Sequence, residues 1–244
     1  MIPDLHDRRA LNAAALLTAI LVAFTFLDAP MLAWAAAADP AFRDFWRAVT
    51  KVGESGWMLA ASAALGLAAW WVARRARGGR LRTGALAVQG VAAYLFASVA
   101  IFGLLAALLK LLIGRARPKM AEPLGAYHFD PFAFDFKFNS FPSGHAATLF
   151  ALAAGLALIA PRWRALILTA AAWGAFSRAP AGAHYLSDII AGSALGYFGA
   201  RWLARRLAAR GLVFSRDLRL LAPMQAAAAV RLTAVRARSA AVGG

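Results

Sequence analysis

Long apolar stretches constrain the fold of this chain more than any other feature of its sequence. Several runs of Ala, Leu, Ile, Val, Phe and Trp, nearly free of charge, approach or exceed the roughly 18 residues that mark a membrane-spanning helix. Of the 244 residues, 62% are hydrophobic and 16% are charged, which is far more apolar than an ordinary soluble domain. These runs predict an all-α integral membrane protein.

Six spans are predicted, and together they form one six-helix bundle over residues 1–210. A basic cytoplasmic tail, residues 211–244, follows as either a helix on the membrane surface or a solvated segment. The segments 28–56 and 114–144 are predicted to be loops. The six spans are residues 10–27, 57–73, 84–112, 145–160, 165–176 and 186–203.

The distribution of basic residues orients these spans. Six spans place both termini on one side, which then holds 18 of the 27 Lys and Arg residues. The positive-inside rule assigns that side to the cytoplasm of a bacterial-type inner membrane. Because the basic residues punctuate apolar spans, the net charge of +16 indicates topology and contact with anionic lipid, and it argues against nucleic acid as a partner.

The first span has a second interpretation. Two arginines, an apolar run and a small-residue segment at 33–36 are also the order of features in a cleaved signal peptide. The apolar run is longer than the usual segment of about 7–15 residues in such peptides, which favours a retained anchor.

Polar residues concentrate where this topology brings four helix ends together on the outer side. Lys110 and Arg117 are seven residues apart, so both cations lie on one face if the helix persists to Pro118. The two could then bind one anion together. Lys110 alone would be taken for a snorkelling residue at the end of a span.

The fourth span begins with the sequence Pro142, Ser143, Gly144, His145. Free backbone amides at Ser143 and Gly144 would form a phosphate-binding turn at the positive end of the helix. The same Pro-Ser-Gly sequence is also common as an ordinary turn. His145 is a titratable group beside this turn and can give a proton to a leaving oxygen.

A third polar group joins the fifth and sixth spans. His184 and Asp188 are four residues apart, so on a helix the carboxylate can accept from one ring nitrogen and leave the other for a nucleophile or base. Arg178 adds a fork-shaped cation suited to phosphate oxygens. The outer-loop acids lack the spacing of metal ligands, so no metal or other cofactor is predicted. These acids are Glu122, Asp130 and Asp135.

Together these groups resemble the three signature motifs of the type-2 phosphatidic acid phosphatase family. Soluble vanadate-dependent haloperoxidases are similar at the same motifs, but six apolar spans argue against that class. The matching patterns are K-x6-R-P from Lys110 to Pro118, P-S-G-H from Pro142 to His145, and S-R-x5-H-x3-D from Ser177 to Asp188.

The resemblance implies an integral membrane phosphatase that needs no metal. In such an enzyme His184 would attack phosphorus to form a phosphohistidine, Asp188 would orient His184, and His145 would protonate the departing lipid oxygen. The residues implied to bind the phosphate are Lys110, Arg117, Ser143, Gly144 and Arg178.

The expected substrate is a lipid phosphate or pyrophosphate whose headgroup enters the site at the outer membrane surface. Undecaprenyl pyrophosphate, phosphatidate, phosphatidylglycerol phosphate and lipid A 1-phosphate all fit, and the family's base rates slightly favour the isoprenoid and glycerolipid types. One alternative is a phosphotransferase that passes the phosphoryl group from His184 to an acceptor other than water. Another is a non-catalytic lipid binder or transporter, which would need the cations but neither histidine.

The outer loop alternates Phe with polar residues from Phe132 to Phe141, directly before the fourth span. Such a segment fits an element at the bilayer interface with its Phe side chains toward acyl chains. A loop that packs these side chains onto the helix ends fits equally well.

Overall fold

The computed structural model describes residues 5–221, with side chains described from residue 10 onward. This part of the chain is helical, apart from loops and two isolated β-bridges, so the predicted all-α class is confirmed. The α-helices are α1 (Leu5–Val22), α2 (Asp28–Ala37), α3 (Pro40–Val49), α4 (Ser55–Arg75), α5 (Gly79–Ile113), α6 (Ala121–Leu124), α7 (Gly144–Ile159), α8 (Arg164–Phe176) and α9 (Leu186–Ala209).

Three helical stretches are long and apolar enough to cross a bilayer. They are Ala10–Ala37, Pro40–Arg75 and Gly79–Ile113. The helix α7 is apolar but has 16 residues, and α8 has 13. The first three predicted spans therefore agree with helices of membrane length, and the total of six stays a prediction.

The predicted loop over residues 28–56 is wrong. The helix α1 continues through a π-helical turn, Ala23–Leu27, into α2, and two residues separate the end of α2 from the start of α3. The Asp39 side chain accepts a hydrogen bond from the Ala41 amide at 2.7 Å, and Pro40 occupies the first turn. Both are helix-start signals that the sequence displays at this point.

The helix α7 lies at the centre of the bundle and packs against α5, α8 and α9. Gly192 and Gly196 let α9 approach α7 closely, because a Cβ at either position would overlap a carbonyl oxygen of α7 or of the residue that caps it. Those oxygens belong to Ser143 and Ala147. This contact holds the start of α7 beside the first turns of α9.

The helix α5 ends at Gly114, which adopts a left-handed conformation with φ of +64° and donates to the Lys110 carbonyl at 2.8 Å. A Cβ at this position would overlap the backbone of Asp130. Arg117 therefore does not share a helical face with Lys110, as the sequence spacing suggested. It lies in an extended segment, where its amide donates to the Lys137 carbonyl at 2.8 Å.

Residues 211–221 fold back onto the bundle. Phe214 is fully buried and lies edge-on against Tyr94 of α5, with ring centroids 4.9 Å apart. This part of the predicted tail is therefore packed against α5 and α9. The rest of the tail, with Arg231, Arg236 and Arg238, lies outside the described residues, and the domain boundary at residue 210 stays a prediction.

Candidate active site

All three predicted polar groups meet at Asp188, in the first turn of α9. The Ser143 amide, just before α7, donates to the Asp188 carbonyl oxygen at 2.9 Å. Arg115, between Lys110 and Arg117 in the sequence, donates from Nη1 to the Asp188 carboxylate at 2.7 Å. The fold therefore brings together segments that lie up to 78 residues apart along the chain, from Lys110 to Asp188.

The predicted pair of His184 and Asp188 is present, although His184 lies two residues before α9 and not within it. Its Nδ1 is 3.4 Å from Asp188 Oδ2, and the residue is 2% exposed. A catalytic hydrogen bond is often this long before substrate binds. The carboxylate partner fixes the proton on Nδ1, which leaves the lone pair of Nε2 available for attack.

The carboxylate of Asp188 is held by several donors besides His184. Oδ1 accepts from Arg115, whereas Oδ2 accepts from the Ser140 hydroxyl at 2.6 Å and from the Tyr185 amide at 3.0 Å. These bonds leave the carboxylate little freedom to rotate. It can therefore set the orientation of the His184 ring.

A buried ion-pair network that the sequence pattern did not predict lies behind this carboxylate. The Arg115 guanidinium donates from Nη2 to Asp28 Oδ2 at 2.8 Å, and all three charged side chains are fully buried. The Ser187 amide also donates to Asp28, at 2.9 Å, and the guanidinium lies 4.0 Å from the centre of the Tyr185 ring. An acid within a helical apolar segment, such as Asp28, is the signal that could have revealed this network.

Arg117 and Arg178 are two of the residues predicted to bind the phosphate. The Nε–H groups of both are buried and have no hydrogen-bond partner among the described residues. Arg117 stacks on Phe136, with its Cζ 3.7 Å from the ring centre, and Arg178 donates to the Thr50 hydroxyl at 3.0 Å. Buried arginine donors without a protein acceptor are suited to binding an anion.

Burial lowers the pKa of both Arg117 and Arg178 to about 10. The charge of Arg117 lowers the pKa of Arg178 further. Both pKa values stay well above neutral pH. The two side chains therefore carry full positive charge under physiological conditions.

Lys110 extends from the last turn of α5 over the first turn of α7. Its Nζ would lie 3.6 Å from a Cβ placed on Gly144. The charges of Lys110, Arg117 and Arg178 all act on the ring of His145. The three cations, the start of α7 and His145 thus surround one location.

One part of the predicted phosphate-binding turn is wrong. The Ser143 amide was expected to face the phosphate, but it donates to the Asp188 carbonyl. The Ser143 hydroxyl accepts from the Ala146 amide at 3.4 Å as the cap of α7. The amides of Gly144 and His145, in the first turn, have no partner within the helix and can donate to an anion.

Burial lowers the pKa of His184 to about 3. The hydrogen bond to Asp188 and its charge act in the opposite direction, while the charges of Lys110 and Arg178 lower this pKa further. Desolvation is the largest of these effects, so His184 is neutral at pH 7. The neutral imidazole is the form that can act as a nucleophile.

The loop between α5 and α7 exposes the acids that were predicted to be solvated. Its three acids are exposed, and Phe134 is 91% exposed. Phe132 and Phe136 are also more than half exposed, so these side chains do not pack onto the helix ends. This arrangement favours the first of the two interpretations, an element at the bilayer interface.

Known proteins are similar to this chain in sequence and in fold. The sequence profile of the PAP2 superfamily matches residues 91–211. The chain is 37% identical over 201 residues to a lipid A 1-phosphatase from Rhizobium etli, an alignment that covers 81% of this chain and 84% of the relative. A lipid A 1-phosphatase from Rhizobium johnstonii is 38% identical over 201 residues, with 81% and 80% covered.

A solved structure supports the same assignment at the level of fold. The crystal structure of a transmembrane PAP2-type phosphatidylglycerolphosphate phosphatase from Bacillus subtilis is similar with a TM-score of 0.52 and 19% sequence identity. The match covers 78% of this chain and 92% of that chain. The chain thus belongs to the PAP2 superfamily, the type-2 phosphatidic acid phosphatases, and is a multi-pass bacterial membrane lipid phosphatase.

Proposed function

We propose that the protein hydrolyses a phosphate monoester of a lipid of the lipid A type and forms a phosphohistidine at His184 as the intermediate. The observation that carries the mechanism is the geometry of His184, a buried neutral imidazole held by Asp188 and close to the charges of Lys110 and Arg178. The substrate rests on the two lipid A 1-phosphatases that are 37% and 38% identical. These relatives favour lipid A over the isoprenoid and glycerolipid types that family base rates suggested.

In the first step, Nε2 of His184 attacks phosphorus while the bond between phosphorus and the lipid oxygen breaks. The bonding electron pair stays on the lipid oxygen, which takes a proton from the imidazolium form of His145. The negative charge of the bound phosphate favours this form and offsets the three neighbouring cations. Asp188 accepts the Nδ1–H hydrogen bond and stabilises the positive charge that develops on the His184 ring. The dephosphorylated lipid then leaves.

In the second step, a water molecule attacks the phosphohistidine. His145 accepts a proton from this water, the nitrogen–phosphorus bond breaks, and its electron pair returns to His184. Inorganic phosphate is released and both histidines regain their starting protonation states.

Charge stabilisation is proposed to come from the protein alone. Lys110, Arg117 and Arg178 neutralise the oxygens of the transferring phosphoryl group, and the amides of Gly144 and His145 donate to them. Cations and helix amides of this kind take the part that a metal ion plays in other phosphatases. We therefore propose a metal-independent reaction.

The site is proposed to lie on the outer side of the membrane, with both termini in the cytoplasm. Pairs of arginine and tryptophan at the ends of α4 and α9 that lie away from the site support this orientation. Basic residues are typical of the cytoplasmic side, and Trp is typical of the membrane interface. Arg74 lies 5.0 Å from the Trp70 ring, and Arg206 lies 5.2 Å from the Trp202 ring. Asp28 supports retention of the first span, because cleavage near residue 36 would remove it and leave Arg115 without this buried partner.

Phosphate release by the purified protein from a panel of lipids tests the substrate. We expect the highest kcat/KM for lipid A, with loss of its 1-phosphate, in the presence of a chelator. A preference for undecaprenyl pyrophosphate or a glycerolipid would overturn the substrate. Loss of activity with chelator that a divalent ion restores would overturn the metal-independent mechanism.

Cysteine labelling tests the orientation, and the chain suits it because it contains no Cys. A single Cys introduced at Arg77, between α4 and α5, should be protected from an impermeant reagent added to intact cells. Labelling from outside would overturn the proposed topology.

A further inference from the structure

A cleft lined by basic side chains lies beside the proposed phosphate site and takes no part in the reaction proposed for His184. Its volume is about 220 Å³, several times the roughly 30 Å³ that one water molecule occupies in the liquid. One side is apolar and is formed by α2. The basic side chains that line it are Arg43, Arg47 and Lys119, and we call it the cationic cleft.

Two walls of the cationic cleft continue directly into the phosphate site. Lys119 follows Arg117 by two residues, and Gly182 precedes His184 by two, a length of chain that spans at most about 7 Å. Arg117 and Lys119 also lie over the same aromatic ring. The centre of the Phe136 ring is 3.7 Å from Arg117 Cζ and 5.5 Å from Lys119 Nζ.

The third wall is α3, which carries Arg43 and Arg47. This helix ends next to Thr50, whose hydroxyl accepts the hydrogen bond from Arg178 at 3.0 Å. The three walls other than α2 therefore each lead to a residue of the proposed phosphate site. A group bound in the cleft would therefore lie next to a phosphate bound at Arg178. The two groups would belong to one molecule or to two adjacent molecules.

Acidic side chains neutralise little of the positive charge of the cationic cleft. No acid lines it, and in the described part of the chain neither Arg43 nor Lys119 forms an ion pair. Arg47 lies 2.8 Å from Asp44, but both side chains are more than 60% exposed, so this pair holds the arginine only weakly. The cleft is thus suited to an anion.

We propose that the cationic cleft binds a second phosphate group, carried by the headgroup of the same lipid whose first phosphate is transferred to His184. The proposal rests on the proposed function, since a saccharide headgroup with phosphates on both sugars would present a second phosphate beside the one that reacts. Arg and Lys side chains are the usual phosphate ligands in proteins. The cleft would then select lipids with two phosphorylated sugars.

A comparison of two substrates tests this proposal. One is lipid A with a phosphate on each sugar, and the other is the same lipid that keeps only the 1-phosphate. For the wild-type protein we expect kcat/KM to be about tenfold higher for the first lipid, the effect of one or two charge-assisted hydrogen bonds. In the double variant Arg43→Gln, Lys119→Gln the ratio should fall close to one.

Two further variants keep the result interpretable. Lys119→Glu reverses a charge on an exposed side chain, so the fold should tolerate it, and the ratio should fall below one. The matched control, Arg80→Gln with Arg82→Gln, removes two exposed cations at the other end of α5 and should keep the wild-type ratio.

A ratio near one in the wild-type protein, or an unchanged ratio in the double variant, would overturn the role of the cationic cleft and leave the proposed function intact. Failure of the wild-type protein to hydrolyse either lipid would instead overturn the proposed function. Inorganic phosphate provides a third arm. If the double variant changes only inhibition by inorganic phosphate and not the ratio, the cleft binds the released product, and the proposal is overturned.

Discussion

Asp28 and Arg115 are 87 residues apart in the sequence, yet they form a 2.8 Å ion pair in which both side chains are fully buried. Arg115 in turn holds the carboxylate of Asp188. The start of α2 thus helps to fix the orientation of the proposed nucleophile. Asp28→Asn should lower the free energy of unfolding by about 3–5 kcal/mol, because it leaves a buried arginine with one charged partner fewer.

Unfolding of the purified variant in mixed micelles measures this loss. The matched control is Asp44→Asn, because Asp44 also pairs with an arginine at 2.8 Å, although its side chain is 68% exposed. That change should cost less than about 1 kcal/mol. Equal losses in the two variants would contradict the structural importance of the buried pair.

Gly53 packs against the proposed proton donor. A Cβ at this position would lie 3.0 Å from Cδ2 of His145 and 3.1 Å from Cδ1 of Leu149. Gly53→Ala should therefore displace the imidazole and reduce kcat by about tenfold or more, since small displacements of catalytic groups are costly. Gly56→Ala is the control, because nothing lies within 4 Å of its Cβ, and it should keep wild-type kcat.

Phe136 covers the guanidinium of Arg117, and its removal should weaken phosphate binding. Phe136→Ala should raise KM by about threefold to tenfold through loss of the cation–π contact, with a smaller effect on kcat. Steady-state kinetics in detergent measures both constants. Phe134→Ala, two residues away on a side chain that is 91% exposed, should leave KM unchanged. Similar effects in the two variants would show that the loop, and not this contact, matters.

The low pKa of His184 makes stability depend on pH. The folded protein keeps His184 neutral down to about pH 3, whereas the unfolded chain protonates it below its ordinary pKa of 6.5. The unfolded state thus binds more protons between these values, so stability is complete above pH 6.5 and falls as the pH falls. At pH 5 this one residue should cost about 2 kcal/mol.

His184→Asn isolates this effect, because the Asn amide can still donate to Asp188. Between pH 7.5 and pH 5 the wild-type protein should lose more unfolding free energy than the variant does. Equal losses would show that His184 does not have a depressed pKa.

The sequence predicts which polar residues come together better than how the fold brings them there. Spacing predicted that His184 and Asp188 lie close together, and they do, because a separation of four residues keeps two side chains close even when one precedes the helix. The same reasoning misplaced Arg117, since it could not show that Gly114 would end α5 three residues earlier. Arg117 reaches the site through hydrogen bonds between loop segments, which have no local pattern.

Burial also separates residues that look alike in the sequence. Arg115 and Arg117 are two residues apart and carry the same charge, yet Arg115 forms ion pairs with two carboxylates, whereas Arg117 forms none within the described residues. That distinction depends on Asp28, which only the tertiary fold brings close. The helical segments between residues 28 and 49 were missed for a related reason, since they are too short to resemble spans.

Trapping of the phosphorylated enzyme tests the central claim most directly. Purified protein is mixed with lipid that carries radioactive phosphate at the reacting position, quenched within milliseconds and digested. We expect a label that is stable to base, labile to acid and located on His184, and that is absent from folded His184→Asn. A label on another residue, or phosphate release by His184→Asn near the wild-type rate, would contradict it.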